Sequence, residues 1–221
     1  MRHIDLSSWP RRQHFEFFNA FDYPQFNLCA PVDISRFYPL IKQRQLSATV
    51  SIVYLLAKAA NAIPEFRYRI RGRQVVEHDL VHPAATILTE GDLFSFCTLP
   101  FVEDFDAFAR QAAELIAQGK THPTLDDAGR DDLLFLSSIP WVAFTGLMHP
   151  IHMHPADSTP RISWGKFFAE GGRLKMPLSV QGHHALMDGI HVGRYFTHVQ
   201  TDLDQPERLF ANVISDCHRA D

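Results

Sequence analysis

The stretch that most constrains this chain is "RLKMPLSVQGHHALMDGIHVGRYF", residues 173–196. Its apolar first half reads as a strand reached through a hairpin whose turn is Glu170-Gly171-Gly172-Arg173. That strand runs up to two adjacent histidines, His183 and His184. Asp188-Gly189 then turns the chain into a final helix extending through about Asp202. A histidine placed at the end of a buried strand, with a turn and a helix directly behind it, takes its rigidity from the backbone.

Such rigidity matters for one kind of chemistry. An imidazole accepts protons near neutral pH because its ordinary pKa lies near 6.5, and it does so efficiently when held in one tautomer and one orientation. Asp188, four residues beyond His184, could orient that ring or lock the turn by pairing with a basic residue elsewhere. From spacing alone, two readings stand: a general base with its neighbour, or two hydrogen-bonded histidines of purely structural use.

The rest of the chain mixes helices and strands. Asp33-Ile34-Ser35 reads as a cap for a helix over residues 33–44. "SATVSIVYLLAKAANAIPEF" carries a helical stripe from Val50 to Ile63, stopped by Pro64. "RYRIRGRQVVEH" reads as a hairpin turning at Arg71-Gly72-Arg73, and "AATILTE" and "LFSFCTLPF" as further strands. "EDFDAFARQAAELIAQGK" is an amphipathic helix ending at Gly119. "GRDDLLFLSSIPWVAFTGL" reads as two strands broken near Ile139-Pro140. Strands and helices do not alternate regularly, so the expected architecture is α/β, a two-layer sandwich of a mixed β-sheet covered by helices.

Composition narrows the function. With 221 residues and 46% hydrophobic content, one domain over 1–221 with a sizeable core is expected. A net charge of −4 gives no reason to expect nucleic acid or an anionic membrane as partner. No apolar run is long enough to span a bilayer, and the first residues lack the apolar stretch of a secretion signal. Cys29, Cys97 and Cys217 are odd in number and widely spaced, which fits reduced thiols in the cytoplasm. The 18 phenylalanines point to a Phe-rich core or pocket.

"HHALMDGIHVGR" resembles the active-site segment of the chloramphenicol acetyltransferase family. "DLSSWPRRQHFEFF", "FYPLI", "NAIPEFRYRI", "LFSF", "IPWVAFTG" and "RLKMPLSVQGHH" also resemble that family, in order and over essentially the whole chain. The resemblance implies trimeric enzymes that move acetyl from acetyl-CoA to a hydroxyl, with no metal. His184 then matches the general base, and His183 a neighbour without a proton-transfer role. Asp188 matches a structural aspartate paired with Arg11, which leaves His184 oriented largely by backbone contacts. It also implies a site between subunits of a homotrimer and an antibiotic-resistance setting. Phe17, Phe18, Phe26, Phe94 and Phe96 fall in segments that form aromatic acceptor walls, and Lys166 and Phe167 match positions near CoA.

The sequence also departs from the family. Gly146 stands where the family carries a serine whose hydroxyl meets the oxyanion. Thr145 is adjacent but, in a strand, would face the other way. Ser163 matches a family threonine that reaches the oxyanion through water. The loop 147–160 is unlike its counterpart, and it clusters His149, His152 and His154. That spacing could hold Zn²⁺ or Ni²⁺, yet Pro150 and Pro155 make the stretch extended and no carboxylate or thiolate sits among the three rings, so no metal is expected. His191 reads as a packed helix residue. The expected function is O-acetylation of chloramphenicol or a similar hydroxylated molecule. Alternatives are another acceptor, or a trimeric binding protein with weakened catalysis.

Overall fold

The computed structural model describes residues 1–126, 129–153 and 157–210. In chain order the elements are β1 (Arg2–His3), α1 (Arg12–Phe18), β2 (Gln25–Asp33), α2 (Phe37–Gln43) and α3 (Ala48–Asn61). They continue with β3 (Tyr68–Arg71), β4 (Gln74–Glu77), β5 (His82–Leu88), β6 (Phe94–Thr98) and α4 (Phe105–Thr121). The last are β7 (Leu133–Ile139), β8 (Arg161–Gly165), β9 (Phe168–Glu170), β10 (Arg173–His183) and α5 (Gly189–Asp204).

The main sheet has seven strands in the order β2-β10-β8-β7-β5-β6, with β9 added against β10. The β5–β7 and β7–β8 pairs are parallel and the others antiparallel, so the sheet is mixed as expected. A small sheet, β1-β4-β3, carries the hairpin at Gly72. The hairpin before β10 turns on Gly171 and Gly172, both in the left-handed region with φ of 59° and 75°, where a side chain would be strained.

Strand periodicity sorts the main sheet into two faces. Leu136, Ile162, Leu178 and Val180 are fully buried in the principal core with Val53, Leu56, Tyr195 and Val199 of the helices. The alternate residues are polar: Ser163 lies level with Ser137 and Ser179, and Ser179 with Cys29. The Thr86 and Ser137 hydroxyls lie 3.1 Å apart, so the hydroxyl row spans four strands and ends on a fifth at the Cys29 thiol. The row faces away from the helices and is overlain by the segment after β7.

Four expectations need correction. The helix expected over 33–44 begins only at Phe37, because Asp33 closes β2 and its Oδ1 accepts from the Ser35 amide. The stripe expected on α3 is absent: Val50 to Ala57 are buried without a break, since the helix lies between the sheet and its neighbours. Its start is capped by Ser47, whose hydroxyl accepts from Val50 N. Helix α4 runs past Gly119 to Thr121; the glycine serves close packing, because a Cβ there would lie 2.7 Å from Ile87 Cδ1. Over residues 140–147, where a second strand is expected, the described backbone forms none. Both edges of β7 are already taken by β5 and β8, Pro140 has no amide to donate, and Trp141 is 64% exposed.

Candidate active site

Strand β10 is paired with β2 as far as His183, opposite Gln25, and the next residue leaves the ladder. His184 is held there by its own amide, which donates to Pro24 O at 2.7 Å. Its ring stacks face to face on Phe18, with centroids 3.8 Å apart and planes 5° from parallel, and meets Phe26 at 4.8 Å. The side chain is 33% exposed, whereas Nδ1 is shielded from solvent. What remains accessible is the opposite edge, with Nε2.

Arg11 ties this corner together. Its guanidinium makes a two-pronged ion pair with Asp188, one arm at 2.6 Å, and donates to the carbonyls of His184 at 2.6 Å and Ala185 at 3.0 Å. Arg11 holds the Asp188 carboxyl below the usual carboxylate range. Asp188 Oδ1 also approaches His184 Nδ1 at 3.0 Å, but out of line with a ring N–H bond, so this contact is electrostatic. The ring is therefore fixed by aromatic stacking and a carboxylate as well as by backbone. Asp188 N donates to His191 Nδ1 at 2.8 Å, closing a reciprocal cap on α5, and His191 Nε2 lies 3.3 Å from Glu65. His191 is thus the packed helix residue expected.

His183 is a different histidine. It is 1% exposed, its Nδ1 accepts from Ala185 N, and burial pushes its pKa down to about 4. It stays neutral near pH 7 and out of reach of solvent.

The second group of candidates lies elsewhere on the sheet. Ser163 on β8 is level with Ser179 on β10, and His184 is five residues further along, about 16 Å of strand. Phe94 and Phe96 sit on β6, four strands from β10, about 19 Å away. They form a row with Phe135, over which Arg161 stacks at 5.1 Å. Phe17, by contrast, belongs with Phe18 and Phe21 beside His184 and is 62% exposed. One chain therefore brings together Arg11, Phe17, Phe18, Phe26, His184 and Asp188, and separately presents Phe94, Phe96 and Ser163.

Gly146 lies in an open hollow of about 510 Å³ lined by Asn27, Cys29, Thr145, Leu147 and Met148. A Cβ on Gly146 would meet nothing within 4 Å. Thr145 lines the same hollow; with no strand here, the alternation expected to turn it away does not apply. Lys166 is exposed, and its amide donates to Val142 O. Phe167 packs edge-on against Tyr38 at 5.2 Å.

Among the described residues no group of three His, Cys, Asp or Glu side chains could hold a metal ion. His152 is exposed, and His149 lies instead against Ser163; His154 and Cys217 fall outside the described residues. Neither Cys29 nor Cys97 is in a disulfide. No described helix is long and apolar enough to cross a membrane. Sequence reading missed the His149–Ser163 contact and the Gln181 amide beneath it. The available signal was a series of polar residues at alternate positions in otherwise apolar strands.

The profile of the family described as Chloramphenicol acetyltransferase matches residues 1–200. A chloramphenicol acetyltransferase of Klebsiella sp is 30% identical over 204 residues, covering 91% of this chain and 93% of its own. Chloramphenicol acetyltransferase 3 of Escherichia coli is 31% identical over 200 residues, covering 89% and 94%. A solved chloramphenicol acetyltransferase superposes with a TM-score of 0.83 at 28% identity, covering 91% of this chain and 99% of that one. The cubic core of the pyruvate dehydrogenase multienzyme complex shares the fold, with a TM-score of 0.63 at 19% identity over 85% and 84% of the two chains.

Proposed function

Since the chain belongs to the chloramphenicol acetyltransferase family and is an acyltransferase, we propose that it acetylates a hydroxyl of chloramphenicol or a similar small molecule from acetyl-CoA. The observation that carries this reading is the His184 ring, stacked on Phe18, backed by Asp188 and Arg11, and open only at its Nε2 edge.

In the proposed mechanism both substrates are bound together. Nε2 of His184 takes the hydroxyl proton as the acceptor oxygen attacks the thioester carbonyl. The carbonyl oxygen gains the negative charge of a tetrahedral intermediate. When the C–S bond breaks, the imidazolium returns its proton to the thiolate, leaving an ester and free CoA. No bond to the protein forms. The aromatic stack limits the ring to one plane, and Asp188 stabilises the imidazolium. Arg11 holds that carboxylate and the backbone behind the ring.

Ser163 sits about 16 Å from His184 in the same chain, too far to serve one carbonyl. This separation supports a site completed by a second copy, with His184 of one chain facing the oxyanion region and the Phe94–Phe96 wall of another. The resemblance makes that second copy part of a homotrimer, and each copy is taken as a single domain over 1–221. Lys166 and Phe167 are assigned to the CoA side by resemblance, and the free thiols of Cys29 and Cys97 support a cytoplasmic setting.

A different acceptor is the second reading. It is favoured by the hollow beside Gly146, where the absent side chain leaves room for a bulkier molecule. Thiol release from acetyl-CoA with chloramphenicol as acceptor tests the first reading. Turnover should be abolished by His184→Ala. Turnover that survives that change removes His184 as the base. Saturable CoA binding without turnover, over a panel of hydroxylated acceptors, favours a binding protein.

A further inference from the structure

His149 belongs to the segment after β7, which has no helix or strand over residues 142–152, yet it is anchored twice by one buried amide. Its N–H donates to Gln181 Oε1 at 2.7 Å, and Gln181 Nε2 donates back to His149 O at 3.3 Å. Gln181 is 1% exposed, as is Ser163. The anchored backbone carries the ring onto β8, where His149 Nε2 lies 2.7 Å from Ser163 Oγ. An apolar side chain would cover that serine without burying an imidazole, whose polar edges need partners.

We propose that His149 is a positioning residue for acyl transfer, donating its Nε2–H to Ser163 Oγ so that the serine's own proton is left for a water that meets the reacting carbonyl. This rests on the transfer reading above.

The ring is neutral at pH 7, because burial and the Arg161 guanidinium hold it below the usual histidine range. Arg161 is itself paired with Asp157. A neutral imidazole has one N–H and one lone pair, so the 2.7 Å contact can be divided in two ways. If the serine donated, its lone pairs would face the growing negative charge. If Nε2 donates, the hydroxyl proton is free for a water beside the oxyanion. Only that arrangement gains strength as charge develops. A hydroxyl that accepts one hydrogen bond also donates a stronger one. Gly146 contributes no hydroxyl, which leaves Ser163 with more of this role.

A double-mutant cycle on the full chain tests the proposal, with His149→Leu, His149→Gln, Ser163→Ala and the Leu/Ala pair. Losing a direct oxyanion donor lowers turnover about 10²–10³-fold, so an effect through the serine is expected at about tenfold. His149→Leu should lower kcat by that factor and leave KM for acetyl-CoA within about twofold. His149→Gln, whose amide can also donate, should recover most of the loss, and the double variant should be no slower than Ser163→Ala alone. Wild-type kcat in His149→Leu, equal losses in Leu and Gln, or losses that multiply in the pair would each overturn it. Nitrogen-15 spectra of the histidine rings give a second readout that needs neither turnover nor the leucine variant. An Nε2-protonated His149 whose signals move in Ser163→Ala supports the donation, while an Nδ1-protonated ring, or signals that stay put, overturns it. If wild type and His184→Ala are equally silent with every acceptor, the transfer reading falls, and the positioning role with it. The ring spectra then report on the contact alone.

Discussion

Around His184, an aromatic stack, a two-pronged ion pair and two carbonyl contacts from Arg11 converge on one backbone corner. Around Gly146, the backbone is irregular, Trp141, Val142 and Met148 are exposed, and a hollow stands open. Proton transfer, in the proposed mechanism, needs an imidazole placed to within a few tenths of an ångström, and the first region supplies that from one chain. Acceptor recognition needs enclosure, which the second region lacks until something covers it. The former should therefore respond to substitution through stability as well as activity, and the latter through activity alone.

Arg11→Leu is the strongest way to break that contrast. It leaves the Asp188 carboxylate partly buried without its partner and strips two carbonyls of donors. A loss of about 4 kcal/mol is expected, read from urea denaturation, with turnover falling alongside it. An unchanged midpoint would mean the corner is held by something else.

Acid is next. His183 has a folded pKa of about 4 against about 6.5 unfolded, so the unfolded chain binds its proton first. The stability this group contributes is complete above about pH 6.5 and is lost as pH falls toward 4, about 3 kcal/mol in all. Urea midpoints between pH 7 and 4 should show the loss, and His183→Gln should flatten the slope.

Gly182→Ala is smaller. Its Cβ would press on the Met187 side chain, which is buried but flexible, so a loss of about 1–2 kcal/mol in thermal denaturation is expected. Gly146→Ser should move stability by less than about 0.5 kcal/mol, since its Cβ enters open space. Its effect belongs to turnover, raised about tenfold if the new hydroxyl meets the oxyanion. Lower activity there would show that the hollow is already used by substrate.

These contrasts follow what the chain discloses before folding. Helix α5, the Gly171-Gly172 turn and the Arg71–Arg73 hairpin were legible because each rests on nearby residues and a local backbone preference. The absent strand after Ile139 was not: "PWVAF" has strand-forming residues, and only the sheet order reveals that β7 has no free edge. The unbroken burial of α3 likewise depends on what packs around it. The Arg11–Asp188 pair spans 177 positions and came from resemblance alone. His149 on Ser163 was invisible for a similar reason, because its placement comes from Gln181, 32 residues away.

The hydroxyl row on the face of the sheet away from the helices has one more consequence. Adhesion between sheet and helices depends on the residues of opposite parity, so the row is released from that duty. Serine, threonine and cysteine there can be exchanged one at a time while the hydrophobic interior keeps its shape. A scaffold divided in this way can drift from one alcohol to another over evolutionary time, with its foldedness hardly put at risk.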